Sequence, residues 1–175
     1  SLGRDTVADA WTPDQLRLCG VAGVAFEGDR LTEDNLPSYH RLIHTFFGKG
    51  DGAWVNWANR WTAEEGRHVI VLRDYLTVTR NCDPVLLERA RMAQVQAGYA
   101  HPTADPLRQL AYVAFQELAT RISHANTGRF SRDSVANRIS ERVAADENLH
   151  MVFYRDALAA ALELDSSAAV MAVAA

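Results

Sequence analysis

Apolar residues recur every three or four positions along most of this chain, and strict alternation of apolar and polar residues is almost absent. A spacing of three or four places side chains on one face of an α-helix, whereas alternation would indicate β-strands. Short breaks rich in Gly, Pro, Asn and Asp separate the helical stretches. The pattern therefore predicts an all-α protein whose helices are mostly antiparallel and pack around a common interior.

Proline directly after a capping residue marks three predicted helix starts. Pro13, Pro84 and Pro106 each follow a Thr or an Asp. The side-chain oxygen of the capping residue accepts a hydrogen bond from the first turn, where the missing N–H of proline costs nothing. We therefore expect helices to begin at these three prolines.

Two other stretches concern the boundaries between helices. Pro37 lies within an otherwise helical pattern and predicts either a kinked continuation of the first helix or a restart at Thr32. The string "NTGRFSRDS" (126–134) combines Gly, Ser, Asn and Asp. It predicts a loop that ends in a helix cap at Ser131 or Ser134.

The composition is typical of a globular protein and narrows the possible partners. With 175 residues, 48% of them hydrophobic, the chain is expected to form a single domain over residues 1–175. A net charge of −4 argues against a nucleic-acid partner. The two cysteines, Cys19 and Cys82, form no CxxC motif, and no apolar run reaches the length of a membrane span. We therefore expect a protein of the reducing cytoplasm.

Three glutamates stand on helix faces that are otherwise largely apolar: Glu65, Glu117 and Glu147. Glu65, for example, shares the face of a long helix, predicted from about Trp54 to Arg80, with Trp61. Burying an isolated carboxylate is costly unless a partner or a metal ion compensates its charge. The position of these acids therefore indicates a polar or metal-binding interior.

The motif Glu-x-x-His occurs twice, and one further glutamate precedes the two copies by 32 and 30 residues. A spacing of three places the Glu and the His on one helix face, so both reach the same centre. Ferritin-like di-iron and di-manganese bundles use four such Glu and two such His as ligands. Carboxylates and imidazoles suit iron, with manganese second. The six predicted ligands are Glu33, Glu65, His68, Glu117, Glu147 and His150.

An additional acid stands immediately before the glutamate of each motif. A metal-bound histidine usually donates its other ring N–H to a carboxylate, a carbonyl or water. The symmetry of the repeat predicts that Asp146 supports His68 and that Glu64 supports His150. A solvated helix acid is the alternative for Glu64. Arg67 is expected to pair with Asp146.

The remaining histidines and the tryptophans of the long helix are expected to be structural. His40, His44 and His124 lie two or three helical turns from the nearest predicted ligand, too far to share its metal ion. We expect core or hydrogen-bonding roles for them, and His101 lies in a predicted loop. Core packing is also expected for three tryptophans, Trp54, Trp57 and Trp61.

Four segments of this sequence resemble the soluble acyl-[acyl-carrier-protein] desaturases, the stearoyl-type family of plant plastids and mycobacteria. They are "LTEDNLPSYH" (31–40), "WTAEEGRH" (61–68), "FQELATRISHANT" (115–127) and "AADENLH" (144–150). The resemblance implies a ferritin-like four-helix bundle in which the six residues above hold two iron ions. It also implies that the chain is shorter than family members at both ends. Gly66 departs from the family motif, which usually has Asn there.

The resemblance implies an O2-dependent desaturase that introduces a cis double bond into an acyl chain held on acyl carrier protein. A ferredoxin-type donor would supply electrons, and a homodimer is expected. Thr120 would line the oxygen-binding side of the centre, and Arg67 and Asp146 would lie on the path of the electrons. Either the deep end of the substrate tunnel or ordinary core packing is expected for Leu42, Thr45 and Phe46.

Three alternatives to desaturation stay open on the sequence alone. A related di-iron enzyme would hydroxylate the acyl group instead of desaturating it. A non-catalytic ferritin-like protein would store metal or scavenge peroxide. A degenerate homologue would have lost its metal altogether.

Overall fold

The structure, a computed structural model, describes residues 12–15, 17–18, 20–99 and 105–174. Cys19 and His101, considered above, lie outside these ranges. The described residues contain no β-strand. They form a 3-10 turn at Pro13–Gln15 and seven α-helices: α1 (Gly20–Asp34), α2 (Leu36–Phe47), α3 (Ala53–Val78), α4 (Pro84–Ala97), α5 (Pro106–Ser131), α6 (Ser134–Leu164) and α7 (Ser166–Ala174).

Four helices, α1, α3, α5 and α6, form a closed bundle. Helix α1 packs on α3 and α5, and α6 packs on the same two helices from the opposite side. Two residues join α5 to α6, so this pair is antiparallel and in contact over most of its length. Helix α4 packs on α1, α2 packs on α3, and α7 covers α5 and α6. The prediction of an all-α four-helix bundle is confirmed.

Two apolar clusters occupy the interior of the bundle and leave a polar layer between them. One contains Phe26 and Leu72, and the other contains Ile43, Trp61 and Tyr154. Along α3, the Glu-x-x-His motif stands between Trp61 of one cluster and Leu72 of the other. The clusters thus hold the polar layer away from both ends of the bundle. Within the described ranges, no helix is long and apolar enough to cross a lipid bilayer.

The first helix begins later than the sequence predicts. Pro13 starts only a 3-10 turn, and α1 begins at Gly20. The Oδ1 atom of Asn81 accepts hydrogen bonds from the backbone N–H groups of Arg17 (2.7 Å) and Leu18 (2.9 Å). Because a side chain satisfies these two donors, Arg17 and Leu18 need no helical partners for their N–H groups.

Pro37 separates two helices rather than kinking one. Helix α1 ends at Asp34, and Asn35 forms a turn in which its N–H donates to the carbonyl of Thr32 (3.2 Å). Pro37 then lies in the first turn of α2, where its lack of an N–H is tolerated. A second helix does begin here, but the predicted restart at Thr32 is wrong, because Thr32 lies within α1 and α2 begins at Leu36. The predicted aspartate caps before Pro84 and Pro106 are confirmed.

The predicted loop over 126–134 is wrong, because α5 continues through Ser131. At Gly128 an added Cβ would lie 2.7 Å from the Cβ of Ser140, so α5 and α6 approach each other too closely for another residue. This packing outweighs the poor helix propensity of the segment. The cap of α6 is Asp133, whose side chain accepts from two backbone N–H groups of the first turn.

The structure predicts opposite effects of alanine at two helical glycines. At Gly66, in the interior of α3, an added Cβ would meet only the Cδ2 atom of Leu36, at 4.0 Å. Gly66→Ala should raise the free energy of unfolding by about 1 kcal/mol, because alanine restricts the unfolded chain and favours the helix. Gly128→Ala should lower it by about 1–3 kcal/mol through overpacking. Urea denaturation measures both, and destabilisation by Gly66→Ala would show that this position is more crowded than the structure indicates.

Candidate metal centre

Each helix of the bundle contributes to the polar layer. Glu33 lies in the last turn of α1, and Glu117 lies in the middle of α5. Helices α3 and α6 each contribute one Glu-x-x-His pair from a single face. All six side chains are buried, none more than 6% exposed: Glu33, Glu65, His68, Glu117, Glu147 and His150.

The six residues form two overlapping groups of donor atoms. In each group the four ligand atoms lie within 4.8 Å of one another. The first group contains Glu33 and His68, the second contains Glu117 and His150, and both contain Glu65 and Glu147. The layer therefore contains two adjacent groups of donor atoms, each able to hold a metal ion, that share two carboxylates.

The inward-facing histidine nitrogens lack hydrogen-bond partners. Nδ1 of His68 lies 3.1 Å from Oε1 of Glu147, and Nδ1 of His150 lies 2.9 Å from Oε1 of Glu65. None of these four buried atoms makes a hydrogen bond of acceptable geometry. Buried polar atoms are rarely left unpaired. Converging lone pairs of carboxylates and imidazoles fit a divalent cation such as iron or manganese.

The outer nitrogen of each histidine contacts an acid of the opposite helix. Nε2 of His68 lies 3.5 Å from Oδ2 of Asp146, and Nε2 of His150 lies 3.0 Å from Oε2 of Glu64. This is the crossed arrangement that the repeat predicts. Because the outer contact fixes the orientation of each ring, both Nδ1 atoms face the cluster.

The arginine partners of these acids differ from the expected ones. Asp146 pairs with Arg142, one turn earlier on α6, at 2.9 Å. Arg67 instead lies 3.5 Å from Glu64, three residues earlier on α3, and its side chain is 60% exposed. The expected pair of Arg67 with Asp146 is therefore wrong. Pairs three or four residues apart on one helix meet without bending a neighbouring helix.

Burial and the charges within the cluster raise the pKa values of four of its six residues. Burial and the nearby carboxylates of Glu65 and Glu147 raise the pKa of Glu33 well above its ordinary range. Burial also raises the pKa of Glu117, although a contact with His150 opposes this. Despite burial, contacts with carboxylates raise the pKa of His68 to about 10 and that of His150 to about 11. Without a metal ion, protons compensate the four carboxylates.

Metal loading should therefore release protons and strengthen as the pH rises. Ligands bind in their deprotonated forms, so His68, His150, Glu33 and Glu117 must lose protons whose pKa values are raised. Each displaced proton should make the metal affinity rise about tenfold per pH unit. Calorimetry in buffers of different ionisation enthalpy counts the released protons between pH 6 and pH 8. Loading without proton release would contradict the cluster's protonated resting state.

Two residues that the sequence did not predict to lie at the cluster, Trp61 and His124, contact the predicted ligands. The indole N–H of Trp61 donates to Oε1 of Glu117 (3.2 Å), and Nε2 of His124 lies 3.1 Å from Oε1 of Glu33. Trp61 stands four residues before Glu65 on the same helix face. This spacing could have revealed that Trp61 lies next to the cluster. No local spacing reveals the contact of His124 with Glu33, because these residues lie on different helices.

The other histidines described by the structure lie away from the cluster. Nδ1 of His40 contacts the hydroxyl of Thr62 at 2.7 Å, which agrees with the expected hydrogen-bonding role. His44 is exposed, and its ring lies beside that of His40. Of the two roles expected for His44, core packing is therefore wrong.

A small cavity opens directly on the carboxylates. Its volume is about 20 Å³, room for a single water molecule, and Tyr39, Trp61 and Thr120 line it together with the four glutamates. The hydroxyl of Thr120 donates to Oε2 of Glu147 (2.7 Å). Thr120 therefore combines a contact with a shared carboxylate and access to the space beside it.

A second cavity of about 20 Å³ lies on the far side of Tyr39 and Trp61. Of the three predicted tunnel residues, Leu42 lines this cavity. Thr45 is exposed, and its hydroxyl donates to the carbonyl of Arg41 at 2.7 Å. Phe46 is half-buried, with its ring centre 6.1 Å from that of Phe47. Of the three residues, the structure thus places Leu42 in a cavity that Glu117 of the cluster also lines.

Comparison with known proteins links this geometry to one family. A family model described as fatty acid desaturase matches residues 4–175. The chain is 54% identical over 162 residues to the acyl-[acyl-carrier-protein] desaturase DesA1 of Mycobacterium tuberculosis H37Rv, which covers 88% of this chain and 48% of that protein. It is 38% identical over 161 residues to the chloroplastic stearoyl-[acyl-carrier-protein] 9-desaturase 6 of Arabidopsis thaliana. That match covers 86% of this chain and 41% of the Arabidopsis protein. The chain spans about half the length of the curated relatives it matches.

A solved structure shares the fold. The X-ray structure of the acyl-ACP desaturase DesA2 from Mycobacterium tuberculosis H37Rv superposes with a TM-score of 0.68 at 25% identity. The match covers 93% of this chain and 57% of that one. The helical bundle therefore agrees with the fold of this solved structure.

Proposed function

Because the chain belongs to the fatty acid desaturase family, we propose that it carries the di-iron centre of an O2-dependent acyl-[acyl-carrier-protein] desaturase. The observation that carries the proposal is the pair of buried donor groups that share Glu65 and Glu147. The substrate class follows the names of the relatives in mycobacteria and plants, which are acyl-[acyl-carrier-protein] desaturases. Iron is the proposed metal, with manganese as the alternative that the same donors accept.

The six predicted ligands divide into two roles. Glu33 with His68, and Glu117 with His150, would each hold one metal ion, because each pair occurs in only one donor group. The two shared glutamates would contact both ions. Glu64 and Asp146 would orient the imidazoles through their outer nitrogens.

The bound irons would supply the redox chemistry by which O2 accepts two electrons and two protons, together two hydrogen atoms, from adjacent methylenes of the acyl chain. Two further electrons and two protons are needed to complete the reduction of O2 to two water molecules. We propose that a ferredoxin-type donor supplies these electrons. Arg67 and Asp146 lie on the α3–α6 side of the centre, where both line a surface groove together with His68.

Thr120 is proposed to act as a hydrogen-bond donor beside the shared carboxylate. Its hydroxyl donates to Glu147, and the same residue lines the cavity on the cluster. A hydroxyl in this position can turn from the carboxylate to donate a hydrogen bond to a molecule bound in the cavity. Tyr39 and Trp61 restrict the cavity to about the volume of one water molecule, which keeps bulk solvent away.

The acyl chain is proposed to enter between α2, α3 and α5. The two small cavities share Tyr39, Trp61 and Glu117 as lining residues, so displacement of Tyr39 would join them. Leu42 lies along this proposed path, and Phe46 lies one turn further along α2. Thr45, at the surface, is a weaker candidate for a tunnel residue. We also propose a homodimer and the bacterial cytoplasm, following the resemblance to the family.

A product assay on the iron-loaded protein tests the proposed function. The protein is loaded anaerobically with ferrous iron. It is then mixed with reduced ferredoxin, O2 and acyl carrier protein that bears acyl chains of different lengths. Desaturation lowers the product mass by about 2, whereas hydroxylation would raise it by about 16. Peroxide consumption without acyl substrate would instead favour a scavenging protein. An iron-loaded chain that yields no oxidised product at any chain length would contradict the proposal.

A further inference from the structure

His124 is a fully buried histidine that the ligand set leaves without a role. It lies on α5, two turns beyond Glu117, and is 1% exposed. Its Nε2 atom lies 3.1 Å from Oε1 of Glu33 on α1. This contact joins the solitary glutamate of one half of the cluster to the helix that carries the solitary glutamate of the other half.

A second acid lies on the other side of the imidazole. Nδ1 of His124 lies 3.5 Å from Oδ2 of Asp29, within the distance of an ion pair but without the geometry of a hydrogen bond. Asp29 stands four residues before Glu33, so both acids project from one face of α1. The other oxygen of Asp29 accepts from the hydroxyl of Ser123 (2.6 Å). The imidazole thus lies between two carboxylates of one helix, Glu33 and Asp29.

The equivalent glutamate of the second half is held differently. Glu117 accepts from the indole N–H of Trp61 at 3.2 Å. An indole has one N–H donor and no further polar atom, so Trp61 does not link Glu117 to a second acid through its ring. The two halves of the cluster therefore share their ligand types but differ in the group that fixes the solitary carboxylate.

We propose that His124 is a positioning residue for Glu33 and that only the metal ion held by Glu33 and His68 depends on it. The inference rests on the proposed metal centre. The imidazole restricts the rotamers of the Glu33 carboxylate, and Asp29 with Ser123 restricts the imidazole. Loss of such an outer contact typically weakens metal binding by about 10–100-fold.

Cobalt(II) binding by the metal-free chain tests this assignment in two backgrounds. Glu117→Gln leaves the half that contains Glu33, and Glu33→Gln leaves the half that contains Glu117. His124→Leu should weaken cobalt binding by about 10–100-fold in the Glu117→Gln background and leave it unchanged in the Glu33→Gln background. Trp61→Phe is the matched control and should show the reverse dependence.

Two further variants separate positioning from general stability. His124→Gln keeps an N–H donor and should restore most of the lost affinity, whereas a purely structural defect would persist. If His124→Leu does not fold, Ser123→Ala removes only a surface contact of Asp29 and should weaken binding in the same single background. Equal losses in both backgrounds, no loss in either, or failure of His124→Gln to rescue would overturn the assignment.

The outcomes also distinguish this inference from the proposed function. A wild-type chain that binds no metal ion would overturn both. A wild-type chain that binds two ions while the His124 variants behave alike in both backgrounds would overturn the role of His124 alone.

Discussion

Replacing Glu147 with glutamine is expected to abolish binding of both metal ions, whereas replacing Glu117 should remove only one. Glu147 belongs to both donor groups, and Glu117 belongs to one. Glutamine keeps the volume of the side chain but removes the charge that a divalent cation requires. The loss should exceed about 100-fold in affinity, because the shared carboxylate would serve both ions at once.

Metal content after anaerobic loading and gel filtration measures this difference. The wild-type chain should retain two ions, Glu117→Gln one, and Glu147→Gln none. Glu141→Gln is a suitable control, because Glu141 is an exposed residue of the same helix whose side chain accepts a hydrogen bond from Asn137. Retention of one ion by Glu147→Gln would show that the two sites do not share this carboxylate.

Metal loading is expected to stabilise the protein strongly. Four buried carboxylates repel one another, and this repulsion contributes to the raised pKa of Glu33 and Glu117. A cation that binds only the folded state adds about 4 kcal/mol to the free energy of unfolding at 1,000 times its dissociation constant. Denaturation by urea, with and without ferrous iron under anaerobic conditions, measures the gain.

Removal of the metal ion and the Glu147→Gln variant serve as controls for the stability measurement. A chelator should return the loaded protein to the stability of the metal-free form, and Glu147→Gln should gain nothing from iron. An unfolding midpoint that iron does not change, in a chain shown to bind iron, would mean that the metal binds the unfolded state equally well.

The sequence predicts the ligand layer well because its evidence is local. Each Glu-x-x-His pair lies within one turn of one helix, so spacing alone places both side chains on one face. The acids on apolar faces then identify which face points inward. The structure brings all six residues together from four helices, and their role as metal ligands stays a prediction that loading experiments test.

The errors of sequence reasoning arise where contacts between helices outweigh local preference. The stretch around Gly128 has the composition of a loop, yet close packing against Ser140 keeps it helical. The start of α1 depends on Asn81, more than 60 residues away in the chain. A single sequence contains no direct signal for such contacts.

The residues around the cluster follow the same division. Asp146 pairs with Arg142 rather than Arg67, and the spacing of four residues on α6 could have indicated this pair. The contact of His124 with Glu33 joins α5 to α1 and follows from the arrangement of the bundle. The ligands and the acids beside the histidines are therefore predictable from the sequence, whereas the contact of His124 with Glu33 requires the structure.

Anomalous diffraction at the iron edge, from crystals of the anaerobically loaded chain, tests the central claim most directly. We expect two anomalous peaks in the polar layer of the bundle, one beside Glu33 and His68 and the other beside Glu117 and His150, with Glu65 and Glu147 next to both. A single peak, or iron bound outside this layer, would contradict the assignment of a di-metal centre to these six residues.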